Sequence, residues 1–116
     1  MISGLVTIAM QMILAAGSEV GAFTGCSATL SCVVYPRVMI NDVRWLSGTD
    51  SYADVGLQSY RQMVINHEVG HYLGHEHISR CEAGTGLAPV MLQQSTGLLG
   101  CLANPWPLPG ELWYNR

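Results

Sequence analysis

The chain has 116 residues, enough for one folded domain with a single core, and we treat residues 1–116 as that domain. Hydrophobic residues make up 49% of it and charged residues only 11%, which excludes a disordered chain kept in solution by its charge. The formal net charge is -3 and no run of Lys or Arg occurs, so we expect neither nucleic acid nor an anionic membrane surface as a partner.

The N-terminal stretch is apolar and ends in small residues, as a signal peptide would, but it lacks the positive segment with which such peptides begin. A membrane span needs about 20 unbroken apolar residues, whereas Gly4, Thr7 and Gln11 interrupt this run. We therefore predict no membrane span and a buried strand over residues 5–14, with a helix as the alternative structure and a signal peptide as the second interpretation.

A loop and two short strands are expected next. Residues 17–25, GSEVGAFTG, are rich in glycine and predict a loop. Residues 32–40, CVVYPRVMI, are prone to β structure, but Pro36 cannot donate a ladder hydrogen bond and predicts an edge or a break between two strands. Residues 41–51, NDVRWLSGTDS, have the composition of turns.

The longest helical pattern in the chain ends at Gly74, because glycine adopts the left-handed backbone that closes a helix. Ser51 followed by Asp54 resembles a capping box, so we expect the helix to begin there. The residues that recur at three- and four-residue steps and form one inward face are Leu57, Tyr60, Val64, His67, Glu68 and His71.

No periodic pattern persists beyond this helix, and we predict a loop-rich part with one short helix near Met91–Thr96. A loop tract this long is usually functional or cross-linked. The four cysteines form no CxxC motif, so disulfides are a better interpretation than a zinc ribbon. Of the three connectivities we favour Cys26–Cys32 with Cys81–Cys101, because each closes a local loop. Such bonds indicate an oxidising compartment and secretion.

All four histidines lie within eleven residues, in the string HEVGHYLGHEH. His67 and His71 are four residues apart, so on a helix they stand one turn above each other and both imidazoles can reach one zinc ion. Glu68 is rotated by about 100° from His67, which keeps its carboxylate near the metal without placing it among the ligands. Since zinc activates water and polarises a peptide carbonyl, a carboxylate at this position is a candidate general base.

Two histidines compete for the role of third ligand. His75 continues the four-residue spacing, and His77 lies six residues after His71. Three imidazoles along one straight helix would span about 12 Å, too far for all of them to bind one ion at about 2.0 Å. Because a left-handed Gly74 would turn the chain back, we favour His77 and expect His75 at the surface or beside the ligands.

This string resembles the extended signature HExxHxxGxxH of the metzincin zinc peptidases. The matching residues are His67, Glu68, His71, Gly74 and His77. Met91, in APVMLQQ, is similar to the methionine of the turn below the metal in that family. The resemblance implies an α+β zincin-like domain, with a short mixed sheet packed on a long active-site helix and a loop-rich C-terminal part containing the methionine turn.

A closer resemblance, over roughly residues 5–107, is to a family of secreted actinobacterial metzincin-like proteins of otherwise unknown function. The matching pieces are SC at 31–32, VMIN at 38–41 with the following RW, YRQMVINHEVGHYLGHEH, APVM with its QQ, and GCLANPWP. Both cysteine pairs belong to this pattern, so the resemblance also implies disulfides and export.

Two features depart from the metzincin pattern. Only 66 residues precede His67, whereas metzincins usually have a further strand and helix ahead of the sheet, so an N-terminally truncated domain is one interpretation. Gln93 stands where some metzincins place a tyrosine that assists the metal, and we therefore do not predict such assistance.

These observations predict a secreted, zinc-dependent endopeptidase that hydrolyses a peptide or protein substrate, with His67, His71 and His77 as ligands and Glu68 as general base. The alternative is a non-catalytic extracellular binding domain that zinc stabilises, which the short chain favours. The presence of Glu68 argues against this alternative, because a structural site needs no base.

Overall fold

The computed structural model of the protein describes residues 11–21, 26–27 and 29–112. Its strands are β1 (Gln11–Ala15), β2 (Cys32–Val34) and β3 (Arg37–Asn41). Its helices are α1 (Gly17–Val20), α2 (Asp42–Ser47), α3 (Leu57–Tyr72) and α4 (Pro109–Leu112), and a 3-10 turn covers Asp50–Tyr52. Within these described ranges, no helix has the length and apolar character needed to cross a membrane.

The three strands form one mixed sheet in the order β1-β3-β2. β1 runs parallel to β3, with Ile13 opposite Met39, and β2 runs antiparallel to β3. A turn containing the cis Tyr35–Pro36 peptide bond separates β2 from β3, which confirms the predicted break at Pro36. The strand predicted over 5–14 is confirmed from residue 11 onward and continues to Ala15, while residues 5–10 lie outside the described residues. Its predicted burial is wrong, because β1 is an outer strand with Met12 and Leu14 exposed and only Ala15 buried.

Two segments predicted to be irregular contain short helices. The loop predicted over 17–25 is wrong at its start, where α1 forms because the Glu19 carboxylate accepts the Ala16 N–H at 3.3 Å; residues 22–25 lie outside the described residues. The turn predicted over 41–51 is also wrong, because α2 forms there. The Asn41 side chain accepts the Arg44 N–H at 3.2 Å, so a residue typical of turns acts as a helix cap.

The predicted start of the long helix is also wrong. α3 begins at Leu57, directly after Gly56, whose φ is +111°. Ser51 and Asp54 form no capping box, since the Ser51 hydroxyl donates to the Gln94 carbonyl at 2.6 Å instead. That partner lies 43 residues away along the chain, so local spacing cannot reveal it.

The main core lies between α3 and one face of the sheet. Val38 and Ile40 of β3 face α3, whereas Met39 points to the opposite face and packs with Ala15 and Val20. The buried members of the main core are Val38, Ile40, Tyr52, Tyr60, Met63, Val64, Val90 and Met91. The predicted α+β class, with a short mixed sheet packed on a long helix, is therefore confirmed.

The part of the chain after α3 has little regular structure, as predicted, but the helix predicted near Met91–Thr96 is wrong. Consecutive turns fill that segment, and α4 forms further along the chain. The reason is Gln94, which is fully buried and whose amide nitrogen donates to the carbonyls of Pro89 (3.2 Å) and Asn104 (2.8 Å). Its amide oxygen accepts the Tyr52 hydroxyl at 2.7 Å and the Asn104 N–H at 3.1 Å. These bonds hold the segment in a non-helical form.

The structure contains both predicted disulfides, Cys26–Cys32 and Cys81–Cys101. No cysteine is free. The second disulfide closes a 20-residue separation, and Cys101 packs with Ala88 and Leu92 in a small core of its own. The loop-rich part is thus cross-linked by a covalent bond as well as by the Gln94 amide.

Candidate metal centre

The chain reverses direction where α3 ends. Gly74 has a φ of +98°, a conformation that strains any residue with a Cβ atom. Its N–H donates to the His71 carbonyl and the His75 N–H donates to the Gly70 carbonyl, both at 2.9 Å, which is the Schellman pattern of helix closure. The predicted turn therefore lies at Gly74 and directs the following residues back toward the helix.

Three imidazoles meet beside this turn. The Nε2 atom of His71 lies 3.1 Å from Nε2 of His67 and 3.0 Å from Nε2 of His77. Ligands bound at about 2.05 Å in a tetrahedron lie about 3.3 Å apart, close to these separations. The structure thus brings the three sequence-predicted ligands to metal-binding distance of one another.

The proton positions of His67 and His71 follow from their other ring nitrogens. Nδ1 of His67 lies 2.7 Å from the Val90 carbonyl, and Nδ1 of His71 lies 2.9 Å from the His75 carbonyl. Because a carbonyl oxygen only accepts, each Nδ1 carries the proton and each neutral ring leaves a lone pair on Nε2. Two lone pairs facing each other repel, and a shared cation removes that repulsion.

The acid–base properties of these two histidines favour metal binding. Burial lowers the pKa of His67 to about 4 from its usual 6.5, although its bond to the Val90 carbonyl opposes this shift. Burial also lowers the pKa of His71. Both rings are therefore neutral near pH 7, the form in which imidazole ligates a metal.

His77 and His75 occupy different positions after the turn. His77 is exposed, and its neighbour Ile78 fixes the segment by donating its N–H to the Met91 carbonyl at 3.0 Å and by packing against the main core. The ring of His75 is not part of the group of converging nitrogens, and its backbone carbonyl orients His71 instead. Of the two candidates for third ligand, His77 is the one at the centre.

Glu68 is buried, with only 4% of its surface exposed, and its Oε1 atom has no hydrogen-bond partner. Burial raises the pKa of this carboxyl group to about 8. An unpartnered buried carboxyl oxygen is costly unless something compensates for it. Glu68 lines the same cleft as His71 and His77.

A cleft of about 370 Å³ opens onto the histidines. Its lining consists of Glu68, His71, His77 and Gln93 together with residues 26–27 and 30–33. The Gln93 side-chain nitrogen lies 3.4 Å from Nε2 of His77, so a neutral amide occupies the position where some metzincins have a tyrosine. A larger cavity of about 970 Å³ shares only Leu30 with this cleft and contains none of the histidines.

Met91 lies beneath α3 and is almost completely buried. Its side chain packs against Gly70, the residue before His71, so closely that a Cβ atom at position 70 would collide with the Met91 sulfur. Glycine inside a helix costs about 1 kcal/mol relative to alanine, and this contact explains why one stands there. Met91 thus packs against the part of α3 that carries His71.

Sequence reasoning missed two groups that hold this arrangement, the Val90 carbonyl and the Glu111 carboxylate. Backbone carbonyls leave no signal in a sequence. Glu111 does leave one, since it is the only charged residue between Glu82 and Arg116. A single acid in such a long uncharged stretch is expected to have a specific partner if it is buried, and only 8% of Glu111 is exposed.

The residues at this centre fit a metal ion. Three imidazole nitrogens converge, two of them with lone pairs fixed by their Nδ1 bonds, and a buried carboxyl oxygen beside them has no partner. Within the part of the chain that the structure describes, no Cys, Asp or Glu joins the three histidines at ligand distance. The donor set is therefore three nitrogens.

Comparison with known proteins gives a family but no activity. The search of curated proteins returns no significant match, and the search of solved structures returns none either. One family model matches residues 5–109, which is almost the whole chain and includes the three histidines, Glu68 and all four cysteines. The chain therefore belongs to the family described as "Protein of unknown function (DUF3152)".

Proposed function

We propose that the protein is a zinc-dependent peptidase of the metzincin type, with His67, His71 and His77 as ligands and Glu68 as general base. The observation that carries this proposal is the convergence of three imidazole nitrogens beside a buried carboxyl oxygen that has no partner. Three nitrogen ligands are typical of catalytic zinc, where a fourth position is open to water and substrate.

The donor set argues against a purely structural zinc site. Such sites are closed by four protein ligands, most often cysteine and histidine. All four cysteines here are in disulfides, and among the described residues only the three histidines have ligand atoms grouped together. The 370 Å³ cleft beside them leaves room for a substrate.

Glu68 is suited to move a proton in this cleft. Zinc held by the three histidines would lower the pKa of water to about 7 and polarise a peptide carbonyl. An adjacent divalent cation favours the charged form of a carboxyl group and so opposes the effect of burial on the Glu68 pKa. The Glu68 carboxylate can then accept a proton and pass it to the leaving amine.

The position of β2 supports a peptide as substrate. β2 is an outer strand of the sheet, paired with β3 on one side, and its residues Cys32 and Val33 line the cleft. An extended peptide can pair with such a strand through backbone hydrogen bonds and so lie across the histidines. The two disulfides support export, because they persist in an oxidising compartment.

The test compares Glu68→Gln with the charge-matched control Asp54→Asn, which changes an exposed carboxylate. We expect E68Q to retain zinc, because no ligand is lost, and to hydrolyse a denatured protein at least about 100-fold more slowly than wild type. D54N should match wild type in both respects. Zinc content is measured by mass spectrometry and hydrolysis by release of amino groups.

Two outcomes would contradict the proposal. Undiminished hydrolysis by E68Q would remove Glu68 from the chemistry. A wild-type protein that binds zinc and unfolds on chelation, yet cuts no peptide in a broad library, would support the non-catalytic binding domain instead.

A further inference from the structure

Glu111 is a buried carboxylate in α4 whose bonds converge on the turn beneath the histidines. Its Oε1 atom accepts the N–H groups of Val90 (2.9 Å) and Leu108 (2.8 Å), and its Oε2 atom accepts the Met91 N–H at 2.9 Å. Three N–H donors on one carboxylate form charge-assisted bonds, which are stronger than bonds between neutral groups. The turn at Val90 and Met91 is therefore anchored to α4 rather than to a neighbouring strand.

One peptide group connects Glu111 to a ligand. The N–H of Met91 and the carbonyl of Val90 belong to the same peptide unit. Glu111 accepts the N–H, and the carbonyl accepts the Nδ1 proton of His67 at 2.7 Å. A carboxylate that accepts from a peptide N–H polarises that peptide and makes its carbonyl a stronger acceptor. A stronger bond at Nδ1 in turn makes Nε2 of His67 a better ligand.

We propose that Glu111 is a positioning residue for His67, which acts through the Val90–Met91 peptide to fix the ring and strengthen its Nε2 as a metal ligand. The inference rests on the proposed metal centre, but the hydrogen-bond chain that carries it lies within the protein and can be tested without metal.

His71 is an internal control for the effect of Glu111 on His67. Its Nδ1 proton goes to the His75 carbonyl, and that peptide group is not among the three N–H donors of Glu111. A change at Glu111 should therefore affect His67 and leave His71 as it is. A variant that merely loosened the fold would affect both rings.

The first experiment records the Nδ1–H resonances of both rings by nitrogen–proton NMR in the metal-free protein. We expect Glu111→Gln to move the His67 resonance upfield, because its bond to the Val90 carbonyl weakens, and to leave the His71 resonance in place. Asp54→Asn should change neither. An unmoved His67 resonance in E111Q, or an equal shift of both rings, would overturn the proposal.

The second experiment measures zinc affinity by competition with a coloured chelator. Loss of an outer hydrogen-bond partner of a metal-binding histidine weakens binding by roughly 10- to 100-fold, and we expect E111Q to lose affinity in that range. The control for lost stability is Val20→Ala, which removes fully buried methyl groups on the sheet face opposite α3. Affinity equal to wild type in E111Q, or an equal loss in V20A, would contradict the positioning role.

A second variant and the metal-free comparison allow failure of the Glu111 proposal to be distinguished from failure of the proposed function. If E111Q does not fold, Glu111→Asp takes its place, since it keeps the charge but shortens the side chain by one methylene; the same direction of change is expected at His67. If wild-type protein binds no zinc, the proposed function fails, while the metal-free NMR comparison still decides whether Glu111 acts on His67.

Discussion

The two halves of the candidate metal centre are stabilised in different ways. α3 supplies His67, Glu68 and His71 from a regular helix whose backbone groups bond to each other. The segment after Gly74 supplies His77 and the Val90 carbonyl from irregular chain, where no ladder of backbone bonds is available. There the backbone is held by buried side chains, by a disulfide and by contact with the helix.

Because of this difference, the stability of the two halves should respond differently to substitutions and to pH. The helix carries His67 and Glu68, two ionisable groups whose charged forms burial disfavours. Besides the Glu111 carboxylate, the loop contains the neutral amides of Gln94 and Asn104, whose hydrogen bonds do not depend on pH. We therefore expect a substitution of the Gln94 amide to destabilise the loop strongly, and protonation of His67 and Glu68 to act through the helix.

The largest effect is expected for Gln94→Ala. It removes four hydrogen bonds from a fully buried position and takes away the Gln94 partner of the Tyr52 hydroxyl and of the N–H and carbonyl of Asn104, while the Pro89 carbonyl keeps its bond from the Leu92 N–H. We expect a loss of about 4 kcal/mol in the free energy of unfolding, measured with urea. Gln58→Ala, at an exposed position of α3, should change stability by less than about 0.5 kcal/mol. Equal effects of the two would show that the loop does not depend on Gln94.

A smaller effect is expected from pH in the metal-free protein. The Glu68 pKa is about 8 in the folded chain against 4.5 ordinarily, so the unfolded chain releases this proton first and folding weakens as pH rises. Between pH 6.5 and 8, above the ordinary pKa of His67, the free energy of unfolding should fall by about 2 kcal/mol. Glu68→Gln should abolish this fall, and Asp54→Asn should keep it. A fall of the same size in E68Q would assign it to another group.

The contribution of His67 to the free energy of unfolding changes with pH in the opposite direction and over a different pH range. Its pKa is about 4 in the folded chain against 6.5 ordinarily, so the unfolded chain binds the proton first as pH falls. E68Q, from which the Glu68 contribution has been removed, should therefore lose stability between pH 6.5 and pH 4, and His71, whose pKa burial also lowers, adds to this loss.

The smallest effect is expected where the two halves touch. Gly70→Ala gains about 1 kcal/mol of helix propensity but places a methyl group against the Met91 sulfur, which costs about 2 kcal/mol. We therefore expect the free energy of unfolding to fall by about 1 kcal/mol, as measured by thermal unfolding. Gly110→Ala, in α4 with open space around the added methyl group, should cause no loss. A stabilised G70A would mean that the helix and the methionine turn can separate without cost.

Local chemistry explains what the sequence could predict. Three correct predictions depend only on neighbours within a few residues. They are the helical spacing of His67 and His71, the left-handed turn at Gly74 and the break at Pro36. The class of fold was implied by the resemblance to the metzincin signature. The residues at the centre were identified because helix geometry and zinc chemistry each restrict where a ligand can lie.

Contacts between distant residues explain the rest. Ser51 does not cap the helix because its hydroxyl donates to the backbone carbonyl of Gln94, far along the chain. The helix predicted over Met91–Thr96 does not form because the Gln94 side chain donates to carbonyls across the loop. Asn41 caps α2 with a side chain that is equally common in turns. Glu111 was missed because its partners at Val90 and Met91 lie about 20 residues earlier.

The contact between Gly70 and Met91 changes how a motif of this kind is searched for. In HExxH the two middle positions accept any residue, yet in this protein the second of them faces a sulfur atom so closely that any side chain there would displace Met91. A pattern that demands a small residue there, together with a methionine about twenty positions downstream, would reject chance occurrences of paired histidines. It would do so on steric grounds, without requiring any knowledge of what the matching proteins do.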